Sequence, residues 1–387
     1  MSNEPQSEGP CTGSRVVHSW ADPARGPELG LLVKVAYRIE PDRRATRLPE
    51  SPAVHCEPEY STPTPEGERW LMHDSDYLSF RKPCTDVLHA GSAHSTRGSV
   101  AELDTGLSVG SVRKRMRVRG DRRLCASARG PLGATAPGGF VELPLDWAHA
   151  YGGRDLHAER EAAQSPDAPP EARWGTCAYP RNRVGRGFFV DTDLDRLDGV
   201  LLPNLDDPED PVEPERILAQ DALDWADRPL GAAYGPIDVL TVPRCFFHLL
   251  QPELRPDSRP LREISLGALG PADLRERDWA EPPDPRVFCC APAGLARERL
   301  RGNERVSLWH LHRRYERLEL DLPGERPRLL IEPPGAGVRE LPPLLQTVLI
   351  EPDEDRITLT WTGSMPVAAV FPEPLCREMR RGVVWET

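Results

Sequence analysis

Three sets of residues in this chain could do chemistry. Gly106-Leu107-Ser108-Val109-Gly110 spells the G-x-S-x-G of a serine hydrolase, in which the serine leaves a buried strand on a tight turn and a helix follows to supply oxyanion amides. Four arginines, Arg113, Arg115, Arg117 and Arg119, follow at every second position. That spacing lines them along one face of a strand, where they would suit a polyanion or an acidic protein. The histidines His89 and His94, and His310 and His312, lie close in sequence. A zinc centre needs three or four ligands at recognisable spacing, and these pairs imply no third, so no metal and no cofactor is expected. There is also no G-x-x-x-x-G-K-[ST] phosphate loop, and no G-x-G-x-x-G opens a helix after a strand.

Flanking residues decide how the first two sets are read. Before the serine stands AELDT and after it VRKRMRVR, so the helix required by an elbow is missing from the pattern. Val112, Lys114, Met116 and Val118 instead alternate with the four arginines, a period of two that predicts a strand. Gly110-Ser111 supplies a two-residue turn with glycine first, as type II′ hairpins prefer. Guanidinium groups about 6.8 Å apart on such a strand repel by only roughly 0.6 kcal/mol in water. A solvated face balanced across the hairpin by Glu102 and Asp104 therefore accounts for the arginines. Two alternatives stay open: a hydrolase whose triad is drawn from Ser108 or another serine, His94 or His149 and an aspartate, since triads converge in space, and a polyanion-binding module built on the arginine strand.

Composition narrows the classes. Lys and Arg number 49 against 61 Asp and Glu, a net charge of −12, which argues against a dedicated nucleic-acid binder. The 43 prolines remove amide donors and break helix interiors, favouring short strands and turns. Neither a signal-peptide core nor an 18-residue apolar run is present, so a soluble, cytoplasmic protein with no membrane partner is expected. Nine cysteines without a C-x-x-C pair fit reduced thiols in that compartment.

The fold expected is mainly β: irregular, loop-rich, β-sandwich-like, with few short helices. Residues 1–14 read as a disordered tail, 15–255 as a large β-rich domain, 256–286 as a Pro/charged linker or loop with a short helix at 272–279, and 287–387 as a smaller β-rich C-terminal region. LLVKVAYRIEPD after Gly30 reads as a strand ending in a turn, and 154–175 as an exposed excursion. TVLIEPDEDRITLTW, residues 347–361, reads as a hairpin whose Ile357, Leu359 and Trp361 share one face.

Several turn blocks occur in a specific order: KPCTDVLHAGSAH (82–94), VRGDRRL (118–124), PLDWAHAYGGRD (144–155), NRVGRGF (182–188), LPNLDDP (202–208) and AYGPI (233–237). The ordered set resembles the bacterial family called domain of unknown function 2169. Its pattern runs K-P-x-x-D-V then Gly, G-D-R, A-x-G-G, N-P-x-G-x-G, a P-N block and a G-P block. Arg183 stands where the family has Pro, and Leu124 where it often has Trp. The resemblance implies a non-enzymatic adaptor or chaperone of type VI secretion, whose partners are a secreted effector protein and a spike-tip protein. Partner contact is then expected from Lys82, Asp86, Asp121, Arg122 and Asn182, together with Arg113, Arg115, Arg117 and Arg119.

Overall fold

The run from Leu29 to Tyr37 is apolar or β-branched at nearly every position, the pattern of a strand covered on both faces. In the computed structural model it is the long second strand of the larger sheet, and residues 28–37 are all buried. The structure describes residues 14–22, 25–65, 67–126, 132–164, 177–179, 181–190, 193–217, 229, 231–238 and 285–386. The principal strands are β1 (Arg15–Asp22), β2 (Gly26–Arg38), β3 (Asp86–His89), β4 (Glu102–Val109), β5 (Val112–Arg119), β6 (Arg305–Trp309), β7 (Arg317–Asp321), β8 (Leu344–Glu351) and β9 (Arg356–Pro366).

The larger sheet runs β1-β2-β9-β8-β3, with Thr46–Arg47 added along β2. Every pairing is antiparallel except β8 with β3. A five-stranded sheet runs from Leu205–Asp206 through β5, β4 and β6 to β7. A third sheet joins Arg339–Leu341, Arg326–Glu332 and Arg380–Glu386. None of the sheets closes, and the helices are short, Leu156–Gln164 being nine residues long. This is the loop-rich β architecture expected from the prolines.

One apolar cluster runs from Val17 to Met379 and takes side chains from all three sheets. The segment 287–387, expected as a smaller C-terminal region, thus supplies β6 and β7 to one sheet and β8 and β9 to another. The expected 1–14 tail lies outside the described residues apart from Ser14, as does the 256–286 linker apart from Pro285 and Arg286. The 272–279 helix lies wholly outside them. Leu156–Gln164 falls within the expected 154–175 excursion and is helical.

The face of β2 turned from the main core is covered by the segment between β2 and β3. Trp20, Leu32, Val54 and Phe80 make a small cluster there. Lys34 points the same way, and its Nζ sits 2.9 Å from Asp76. Within that segment a short ribbon forms between Glu59–Tyr60 and Leu71–His73. The hairpin expected at 347–361 forms as β8–β9, with Ile357 opposite Ile350 and Leu359 opposite Val348. Its turn ends on Asp355 in the left-handed region, at φ 52°.

That turn also engages one histidine of each pair. His94 Nε2 lies 2.7 Å from Asp353, and His312 Nε2 lies 3.0 Å from Asp355. Cysteines 84, 125, 177, 289, 290 and 376 are free thiols, whereas Cys56 is disulfide-bonded, so the expectation of reduced thiols fails at that position. No helix among the described residues is long and apolar enough to cross a membrane.

His89, the last residue of β3, is 2 % exposed, and burial lowers its pKa from 6.5 to about 4. The native state therefore holds a neutral imidazole where the unfolded chain takes up a proton. Stability should be full above pH 6.5 and fall as the pH drops from 6.5 towards 4, by roughly 3 kcal/mol across the window. Denaturant melts of the wild type and His89→Leu should show that acid-side slope flattened in the variant; an unchanged slope would assign it to other groups.

Candidate functional site

The G-x-S-x-G stretch is a hairpin. Ser108 lies within β4, opposite Arg113 on β5 and Ser307 on β6. The chain turns at Gly110, φ 59°, and Ser111 into another strand. Glycine is needed at Gly110 for the positive φ of the turn. Gly106 has no such requirement, although it is the register partner of Trp309 on β6. A Cβ there would lie 3.6 Å from that of Trp309, an ordinary contact.

The arginines lie along the outward face of the five-stranded sheet, as their spacing predicts. Arg113 and Arg115 are exposed, whereas Arg117 and Arg119 are partly buried. Arg117 Nε donates to Asp104 at 2.9 Å, and Arg115 lies 3.5 Å from the same carboxylate. Arg119 is held by Glu102 at 3.2 Å and by Asp206 at 2.6 Å. The cross-hairpin acids therefore neutralise much of the strand. Lys114, on the core-facing parity, escapes by extending to Asp207 at 3.4 Å and the Ala293 carbonyl at 3.3 Å, the usual behaviour of a long stem with a charged end.

Register places Arg317, Trp309, Gly106 and Arg115 in one row across four strands. Trp309 is 49 % exposed, and the Arg317 guanidinium stands 5.1 Å from its ring centroid. Sequence reasoning missed Trp309 and Arg317. The signal was parity: in RVSLW, Trp309 shares its face with Arg305 and Ser307 and so points outward.

Lys82 and Asp86 do not join this face. They are 5 % and 0 % exposed and form an ion pair at 2.7 Å. Asp86 also accepts from the backbone N–H of Cys290 at 2.9 Å and of Ala291 at 3.2 Å. Lys82 Nζ reaches Thr347 Oγ1 at 3.1 Å. Burial, the largest single influence, would lower the Lys82 pKa, but the charge and hydrogen bond of Asp86 together with Cys290 and Asp74 outweigh it and hold the ammonium above its ordinary value. Arg299 adds bonds to the Leu345 carbonyl at 3.1 Å and the Lys82 carbonyl at 2.5 Å. These groups join β3, the 289–300 segment and β8, so in place of the expected partner contact the two charges serve the interior.

The remaining blocks meet in a backbone knot. Asn182, 3 % exposed, donates through Nδ2 to the carbonyls of Trp147 at 2.8 Å and Tyr151 at 3.1 Å. Trp147 Nε1 donates to the Pro236 carbonyl at 2.8 Å, tying in the G-P block. Arg186 bonds the Ala148 carbonyl and Asn204, while Asn204 bonds the Arg119 carbonyl and Asp121. Asp121 is exposed and Arg122 is buried, its pKa lowered by desolvation and then by Arg119. Backbones approach so closely that a Cβ on Gly153, φ 110°, would lie 2.5 Å from the Gly185 carbonyl oxygen. Beside the knot is a cavity of about 550 Å³, lined by Tyr60, Trp70, Trp147, Arg181, Arg183 and Asp238 among others.

Two outcomes follow. Lys82→Met leaves a buried carboxylate without its cation and should cost about 3–5 kcal/mol of unfolding free energy; a loss below about 1 kcal/mol in a denaturant melt would contradict the clamp. Gly106→Ala should stay within about 1 kcal/mol of wild type, whereas Gly153→Ala should lose several times as much, and equal losses would refute the contrast.

No curated protein and no solved structure matches this chain. A family model described as an uncharacterized protein conserved in bacteria (DUF2169) matches residues 25–362. That span takes in the clamp, the arginine strand, the knot and all but the last strands of the C-terminal region, and the chain belongs to the domain of unknown function 2169 family.

Proposed function

We propose that this protein is a non-enzymatic cytoplasmic adaptor or chaperone that binds a type VI secretion effector and helps load it onto the spike, a spike-tip protein being the second partner. The observation that supports this reading best is the outward row Arg317, Trp309, Gly106 and Arg115 on an open sheet. Tryptophan and arginine are the residue types that dominate binding energy at protein interfaces. A half-exposed tryptophan resting on a glycine offers a rigid apolar anchor at low entropic cost. Around it, Arg113, Arg115, Asp104 and Glu102 supply a rim of mixed charge. A standard interface needs about 800 Å² per partner, and an open five-stranded sheet can present that area. Polyanion binding is less favoured on the same face, because Arg117 and Arg119 are already engaged by Asp104, Glu102 and Asp206.

Co-expression with the products of adjacent genes, followed by light scattering of the eluted species, tests the proposal. A stoichiometric complex is expected with an effector encoded nearby. Trp309→Ala should weaken it by about 2 kcal/mol or more, ~30-fold in Kd, and Arg115→Glu should weaken it as well. Val338→Ser, also at an exposed apolar position, should bind like wild type. Failure to capture any neighbour, or equal affinity for Trp309→Ala, would overturn the proposal.

A further inference from the structure

The ribbon between β2 and β3 brings together three side chains that no sequence spacing singled out. Glu59 and His73 are register partners across it. His55, from the preceding loop, places Nδ1 3.4 Å from Glu59 Oε2. Its ring stacks on that of His73 with centroids 4.7 Å apart and planes within 5°. One donor atom from each of the three residues lies within 4.8 Å of the others.

We propose that His55, Glu59 and His73 form a binding site for a zinc-type divalent transition-metal ion. Two imidazoles and a carboxylate are a donor set suited to zinc and its neighbours, and the nitrogen donors disfavour calcium or magnesium. Tetrahedral zinc bonded at 2.0–2.2 Å holds its ligand atoms about 3.3 Å apart, close to the His55–Glu59 separation. Glu59, half exposed at 52 %, has room to rotate its carboxylate towards both imidazoles. Three protein donors leave a position open for water.

The surroundings support the assignment. Burial first, and then the charge of Lys34, lowers the pKa of both histidines from the ordinary imidazole value. Lys34 is itself paired with Asp76, whose carboxylate also accepts from the His55 backbone N–H at 2.7 Å. That bond fixes the loop carrying His55. The same ribbon carries Tyr60, Trp70 and Leu71 into the wall of the 550 Å³ cavity. A bound ion would therefore pin the loop to the ribbon and stiffen that wall.

The test is a calorimetric titration of Zn²⁺ into the full-length protein after chelator treatment, with Mg²⁺ as control. One equivalent of Zn²⁺ should bind and raise the melting temperature, while Mg²⁺ should do neither. His55→Ala and His73→Ala should weaken Zn²⁺ binding by at least about 100-fold, and Glu59→Gln, at a half-exposed position that leaves the core untouched, keeps the test available if a histidine variant fails to fold. Substituted Co²⁺ should show ligand-field bands without thiolate charge transfer, excluding cysteine ligands such as the six free thiols among the described residues. Absence of a one-to-one site, binding unchanged in Glu59→Gln and both histidine variants, or a thiolate spectrum would each overturn the assignment.

Discussion

A carboxylate with no exposed surface ties the 289–300 segment to the edge of the larger sheet. Asp86 lies at the start of β3, the parallel edge of the larger sheet, and accepts from Lys82, the Cys290 N–H and the Ala291 N–H. Burying an ion pair is costly unless its remaining lone pairs and protons are satisfied. Here they are satisfied by backbone amides more than 200 positions away and by Thr347 of β8. Because those partners are supplied only when the 289–300 segment lies against β3 and β8, the pair favours that one arrangement. β6 and β7 follow shortly after the same segment and extend the other sheet.

The arginine sheet rests on this frame. β4 and β5 form a local hairpin, but their inward residues Leu107, Val109, Met116 and Val118 are covered in the common core with Val306, Leu308, Leu318 and Leu320. The inward face is thus committed to packing, and the outward face is left with paired charges and one large aromatic side chain. The knot at Asn182 is tied to the same sheet through Asn204, Asp206 and Arg119. Rigidity across these joints would present Trp309 in a fixed setting, which lowers the ordering cost of binding.

Local pattern made part of this legible in the sequence. The β4–β5 and β8–β9 hairpins follow from alternation and from turn residues that allow positive φ, and both require only nearby information. Gly106 and Gly110 fit two motifs, and the strand after them decided between the motifs. Lys82, Asp86, Arg122 and Asn182 were harder, because charged and amide side chains default to the surface. Their burial depends on partners supplied by distant segments, Asn182 from Trp147 and Tyr151, Asp86 from Cys290 and Ala291. Glu59 and His73 sit on strands two and three residues long, too short for any periodicity to mark them, and His55 lies in the loop before the first.

The central claim is that the outward face of the five-stranded sheet receives the effector. Amide hydrogen exchange on a complex of this protein with the proposed effector tests it most directly, read peptide by peptide against the free protein. Protection concentrated in residues 102–119 and 305–321 is the predicted result, whereas unchanged exchange there with protection elsewhere would contradict the account.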